Sequence, residues 1–187
     1  MFFVFVGQTF PGFDSWLYPL KTLTVGGLLF YFRKDYELGK LSGLFLTIFI
    51  GLLTLVVWVG FEGILPLVQE TAPYNPFDSL PRSEAIVWIA VRLFGASVIV
   101  PIMEEIFWRG FLARWLVNND FIKVDHGKFT ALSFIATSVL FGLAHQRLYV
   151  AILAGVLYNF LYFKTRNIKS CIIAHAITNL TLGIYVL

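Results

Sequence analysis

Pro101-Ile-Met-Glu-Glu-Ile-Phe-Trp-Arg-Gly110 is the stretch of sequence around which this chain is organised. It places two adjacent carboxylates, Glu104 and Glu105, and one guanidinium, Arg109, in an otherwise apolar region. An ionised side chain at the centre of a bilayer costs roughly 3 kcal/mol on insertion scales, so such residues are rare there and usually serve a function. The stretch therefore predicts a functional site inside a membrane.

The composition of the whole chain favours a membrane protein. Of its 187 residues, 58% are hydrophobic and 13% are charged, whereas soluble domains carry about 25% charged residues. One cysteine excludes an internal disulfide, and three histidines are too few for a metal site of four imidazoles. The net charge of +3 comes from basic residues placed between apolar runs, which disfavours a nucleic-acid partner.

Apolar runs separated by charged or proline-rich segments predict about six membrane spans. Residues 1–15 are interrupted by two glycines, a proline and an aspartate, which favours an interfacial segment over a span or a signal peptide. The predicted helices cover residues 16–32, 41–61, 84–118, 129–145, 148–163 and 170–187. The third is interpreted as one long or kinked helix, in which Pro101, one turn before the glutamates, would cause any kink. The predicted fold class is all-α, a polytopic transmembrane helical bundle around a polar cavity.

The proline-rich segment 67–83 predicts a boundary between two parts of the chain. Membrane helices and this loop would form residues 1–83, and residues 84–187 would carry the chemistry. Basic residues concentrate in alternate loops, which the positive-inside rule places in the cytoplasm, with both termini outside. Counting spans in this way puts His145 near the outer end of its helix and His175 nearer the inner end. The two histidines can therefore meet only if helix offsets, or a further N-terminal helix outside this sequence, correct this picture.

Helical spacing assigns different environments to the two glutamates. Residues four apart share a helix face, so Glu105 and Arg109 are predicted to pair, which would make their buried charges tolerable. Glu104 projects about 100° away and stays free to act as a general base. A structural clamp explains the Glu105–Arg109 spacing equally well, and the pair alone does not indicate catalysis.

Two further segments supply partners for Glu104, namely Phe141-Gly-Leu-Ala-His145 and His175-Ala-Ile-Thr-Asn179. A carboxylate and imidazoles can position and deprotonate a water, with or without a metal between them. Glu104, His145 and His175 match the three protein ligands of a catalytic zinc site. Asn179 could donate a hydrogen bond to an oxyanion. Each residue alone is as well explained by an interhelical hydrogen bond, and only the combination is specific.

Three other polar residues receive structural interpretations. His126, beside an aspartate in a loop, is interpreted as a solvated surface residue. Arg92 is interpreted as an interfacial side chain with its charged end in water. Asn159 is interpreted as a contact between helices.

The order and spacing of the three motifs resemble the CAAX-protease and bacteriocin-processing family of intramembrane metalloproteases, also called the ABI family. The matching segments are residues 104–109, 141–145 and 175–179, and the resemblance covers about residues 84–187. It implies hydrolysis of peptide bonds within the membrane. The implied roles are water activation by Glu104 and His145, oxyanion stabilisation by His175 and Asn179, and support of the site by Glu105 and Arg109.

The resemblance leaves the cofactor open, because both a zinc enzyme and a metal-free glutamate-dependent protease are described for this family. It implies the lipid bilayer and a peptide or protein as partners, the latter lipidated or bearing a C-terminal sorting signal. Val100-Pro-Ile-Met103 also resembles CAAX-protease-related proteins found beside bacterial C-terminal sorting systems. This narrower match implies a multi-pass protein of a bacterial plasma membrane.

Two functions of other classes compete with a protease. A non-catalytic immunity or scaffold protein could keep the same polar residues as links between helices. A proton-coupled transporter is disfavoured because the charges cluster at one site and no paired broken helices are evident.

Overall fold

The computed structural model describes residues 14–65 and 75–186. Most of the predicted interfacial segment at 1–15, and half of the proline-rich segment, therefore lie outside the described residues. The proposed division of the chain at residue 83 stays a prediction.

Within these ranges the chain is helical, without strands. The six α-helices are α1 (Asp14–Tyr31), α2 (Leu44–Gly60), α3 (Arg82–Trp115), α4 (Ala131–Leu143), α5 (Leu148–Thr165) and α6 (Ile168–Tyr185). The connections include two short 3-10 turns, Pro76–Asp78 and Phe121–Lys123. The prediction of an all-α helical bundle is confirmed.

The apolar helices differ in length. Among the described residues, α3, α5 and α6 are long and apolar enough to cross a membrane, whereas α2 and α4 are shorter apolar helices. The 13 residues of α4 extend roughly 20 Å, which is less than the hydrocarbon core of about 30 Å. His145 therefore lies just beyond the end of α4, and not within the helix as the predicted span 129–145 had placed it.

The long helix α3 has irregular hydrogen bonding on both sides of its glutamates, because Gly95–Ile99 and Ile106–Leu112 are π-helical. The Val100 N–H donates to the Gly95 carbonyl five residues earlier, and Pro101 has no N–H to donate. Neither residue therefore donates a hydrogen bond to the Ala96 carbonyl. This carbonyl instead accepts a 2.9 Å hydrogen bond from Asn179 Nδ2 on α6. The π-helical segment before Pro101 thus creates the docking point for Asn179, whereas the kink that Pro101 could cause stays a prediction.

Close packing at Gly51 sets the position of α6 against α2. A Cβ at Gly51 would lie 2.8 Å from the Ala174 carbonyl oxygen and 3.1 Å from Ile177 Cβ. The Thr178 hydroxyl also donates to the Gly51 carbonyl oxygen at 2.8 Å. Because α6 carries His175 and Asn179, this contact sets the position of both side chains relative to α2.

Gly51→Ala is expected to lower the free energy of unfolding by about 1–3 kcal/mol, because the added methyl group overpacks a backbone contact. Gly60→Ala on the same helix is the matched control, since a Cβ there meets nothing within 4 Å. Thermal unfolding in detergent micelles would measure both. Equal melting temperatures for the two variants would show that the α2–α6 contact is not close.

Candidate active site

Four of the predicted site residues meet around a cavity of about 140 Å³. They come from three parts of the chain: α3, the end of α4, and α6. The cavity is lined by Glu104, His145, His175 and Asn179, together with the rings of Trp58, Phe141 and Tyr158. The side chains of Glu104 and His145 are 20% and 24% exposed, so the cavity combines apolar walls with access from outside.

His145 presents one defined ring nitrogen to Glu104. Its Nδ1 lies 2.7 Å from the Phe141 carbonyl oxygen, and because that oxygen can only accept, Nδ1 carries the proton. Nε2 of the neutral ring is therefore an acceptor, and it lies 4.0 Å from Glu104 Oε2. The ring is held in place by Phe141, whose centroid is 4.5 Å away, and by Trp58 at 6.2 Å.

The distance between these two acceptors suits a bridging water. A water at about 2.8 Å from both atoms would subtend an angle of about 90°, close to the angle between its own two hydrogens. Glu104 Oε2 is buried and has no hydrogen-bond partner among the described residues. A water that donates to Glu104 and His145 would direct its lone pairs elsewhere, which is the arrangement that a nucleophile needs.

Glu105 occupies a different environment from its neighbour. It is fully buried, its two oxygens each lie 3.1 Å from Arg109 Nη1, and Oε1 also contacts His175 Nδ1 at 2.9 Å. The Glu105–Arg109 contact is the one that helical spacing predicts. The contact with His175 was not predicted, and it makes Nδ1 the protonated nitrogen of His175, which leaves Nε2 available to the cavity.

Arg109 is anchored on α5 as well as on Glu105. Nε donates to Asn159 Oδ1 and Nη2 donates to the Gly155 carbonyl oxygen, both at 3.2 Å. The guanidinium carbon also lies 5.1 Å from the centroid of the Phe141 ring and 5.6 Å from that of Tyr158. These contacts compensate a fully buried charge, because the carboxylate, the acceptors and the ring faces all favour a cation.

His175 and Asn179 are each held by residues that the motifs do not include. Tyr158 stacks on the His175 ring at 5.0 Å and donates its hydroxyl proton to Thr178 Oγ1 at 2.9 Å. The Asn179 amide uses one hydrogen on the Ala96 carbonyl, and the second remains for a reacting oxygen. The sequence interpretation missed Tyr158 and Thr178. The signal in the sequence that could have identified them is that both are polar residues within otherwise apolar helices.

The described residues contain no group of three or more His, Cys, Asp or Glu side chains placed to hold a metal ion. Glu104 and His145 face each other, whereas His175 directs Nδ1 to Glu105. The assignment of zinc to Glu104, His145 and His175 stays a prediction from the sequence.

The three remaining polar residues lie away from the cavity lining. The prediction that His126 is solvated is wrong, because its side chain is only 17% exposed and its Nδ1 lies 3.1 Å from the Tyr162 hydroxyl. Burial, and secondarily the charge of Arg114, lower the pKa of His126. Arg92 is exposed and lies over the Trp88 ring. Asn159 does link helices, and it does so through Arg109.

A comparison with known protein families gives a match. The family model described as "Type II CAAX prenyl endopeptidase Rce1-like" matches residues 86–181, which is more than half of the chain. The matched region contains all three motifs and excludes α1 and α2. Neither the curated proteins nor the solved structures contain a significant match.

Proposed function

The chain belongs to the Rce1-like family of type II CAAX prenyl endopeptidases, and from this premise we propose that it is an intramembrane endopeptidase whose water nucleophile is activated by Glu104 and His145. The observation that carries the proposal is the pair of acceptors, Glu104 Oε2 and His145 Nε2, facing each other at 4.0 Å in the cavity. Neither acceptor is used in the buried ion pair beside them.

In the proposed reaction, Glu104 removes a proton from a water held between its carboxylate and His145. The water oxygen forms a bond to the carbonyl carbon of the scissile peptide. The resulting oxyanion accepts a hydrogen bond from the Asn179 amide, and one from His175 Nε2 when that ring carries both protons. The C–N bond then breaks, and the proton taken up by Glu104 passes to the leaving amine.

Glu105 and Arg109 support this chemistry without touching the scissile bond. Glu105 accepts from His175 Nδ1, so it orients the ring, and Arg109 compensates the Glu105 charge. A metal bound at the cavity would supply Lewis-acid activation of water. The steps above need only protein groups and water.

We propose a membrane-associated peptide as the substrate, either lipidated or cut near a C-terminal sorting signal, in a bacterial plasma membrane. The site lies between aromatic walls, and the helices around it expose large apolar side chains such as Phe45, Leu132 and Ile135. A chain held at the bilayer by a lipid or an apolar segment can reach such a site along the membrane.

The second candidate is a non-catalytic scaffold or immunity protein. Its supporting observation is that Asn159, Thr178 and Glu105 each link two helices by buried hydrogen bonds, as a structural polar core would. Glu104 separates the two functions, because its buried Oε2 makes no such link among the described residues.

Comparison of protein termini in cells tests the proposal. Cells that make the wild type or Glu104→Ala at equal levels are compared, with membrane insertion of both verified. Specific new termini that are present only with the wild type would identify a protease and its substrates. Identical termini in the two cultures, under every growth condition compared, would favour the scaffold.

A further inference from the structure

The amide of Asn159 lies at the centre of a buried polar chain that joins four helices. Its Nδ2 donates to Thr137 Oγ1 and Ser138 Oγ at 2.8 Å, and to the Phe134 carbonyl oxygen at 3.1 Å, all on α4. Its Oδ1 accepts from Arg109 Nε on α3 at 3.2 Å. Asn159 and Arg109 are both fully buried.

The partners on α4 fix which way the amide points. The Thr137 hydroxyl donates its own hydrogen to the Ser133 carbonyl at 2.6 Å, and the Ser138 hydroxyl donates to the Phe134 carbonyl at 2.8 Å. Both hydroxyl oxygens can therefore only accept from Asn159. If the amide were flipped, its oxygen would face three groups on α4 that can only accept, and no hydrogen bond would form there. Oδ1 must therefore face Arg109.

This orientation determines which part of Arg109 reaches Glu105. Asn159 Oδ1 and the Gly155 carbonyl hold Nε and Nη2 on α5, and Nη1 is then directed at Glu105. The remaining contact of Glu105 is His175 Nδ1. A contact made on α4 is thus transmitted through three side chains to a ring in the active-site cavity.

We propose that Asn159 is a positioning residue that fixes the ring orientation of His175 through Arg109 and Glu105. Asn159 lies outside the three sequence motifs, and it does not line the cavity. Its catalytic consequence rests on the proposed function, whereas its effect on the orientation of His175 does not. The competing explanation is that Asn159 only holds α4 and α5 together.

Two substitutions distinguish these explanations by the order of their effects. Asn159→Leu keeps the volume and removes the acceptor for Arg109, whereas Asn159→Asp keeps an acceptor and adds a buried charge. For a positioning residue we expect kcat to fall about 10- to 100-fold in the leucine variant and less in the aspartate variant, with KM nearly unchanged. If Asn159 serves only packing, the aspartate variant will be the more damaged, and the proposal is overturned.

Asn167→Leu is the matched control. Asn167 is also a buried asparagine, 4% exposed, and its Nδ2 donates to Ser42 Oγ and to the Thr165 carbonyl oxygen. Its Oδ1 accepts from the Ser170 N–H in the first turn of α6 at 2.8 Å, and none of these hydrogen bonds involves Arg109, Glu105 or His175. We expect this variant to lose stability and to keep the kcat of the folded enzyme. A fall in its kcat as large as that of Asn159→Leu would overturn the assignment.

A second measurement, NMR of the histidine side chains, tests the proposal without any substrate. The chain has only three histidines, so nitrogen-15 histidine labelling gives three side-chain signal sets, which His126→Asn and His145→Asn assign. We expect Asn159→Leu to shift the Nδ1–H signal of His175, and Asn167→Leu to leave it in place. An unchanged His175 signal in Asn159→Leu overturns the proposal. A shifted signal with a wild type that cleaves nothing supports the positioning and contradicts only the proposed function.

Discussion

Glu104→Gln is expected to lower kcat/KM for peptide hydrolysis by about 10²- to 10⁴-fold, which is the range that general bases contribute. The amide retains the size of the side chain, but it cannot take a proton from water. Oε2 of Glu104 has no hydrogen-bond partner among the described residues, so the substitution breaks no buried contact there. Thermal stability should therefore change little while the reaction is lost.

This measurement uses the purified protein in detergent micelles or proteoliposomes. Its substrate is one identified by the comparison of protein termini in cells. Glu84→Gln is the matched control, because Glu84 is exposed in the first turn of the same helix, α3. We expect its activity to equal that of the wild type. Retention of more than a tenth of the activity by folded Glu104→Gln would exclude Glu104 as the general base.

Arg109→Met is expected to reduce the free energy of unfolding by about 3–5 kcal/mol, the cost of removing one partner of a buried ion pair. The methionine leaves Glu105 fully buried without its compensating cation. It also leaves the acceptors on Asn159 and Gly155 without their donor. Activity should fall with stability, because Glu105 then no longer holds His175 in a defined position.

The double variant Glu105→Gln/Arg109→Met tests the electrostatic origin of this loss. Removing both charges should recover part of the stability, since no uncompensated ion remains in the core. Catalysis should not recover, because the glutamine cannot replace the carboxylate that faces His175. Arg82→Met, at the exposed start of α3, should be within about 0.5 kcal/mol of the wild type. If Arg109→Met is as stable as Arg82→Met, the ion pair contributes nothing to the fold.

Features that depend on local spacing were predictable from the sequence. Long apolar runs broken by charged loops predict the helices, because each run must satisfy its backbone within itself in a membrane. The Glu105–Arg109 contact follows from the four-residue spacing on α3. The same spacing shows that Glu104, one residue earlier, must face another direction.

The tertiary structure alone decided how these local features combine. The contact of His175 with Glu105 depends on the rotation of α6 against α3, which no periodicity within either helix encodes. The docking of Asn179 depends on a carbonyl group that π-helical bonding releases on another helix. His126 was misassigned because it contacts Tyr162, which lies 36 residues further along the chain.

The sequence by itself determined the all-α fold and the polar motifs, because apolar composition and helical periodicity are properties of single segments. Only the tertiary structure decided which atoms of those motifs face one another. Those outcomes depend on close contacts between helices, such as that of Gly51 with Ala174. Packing between helices fixes relative rotation and offset, and both belong to pairs of helices rather than to any one of them.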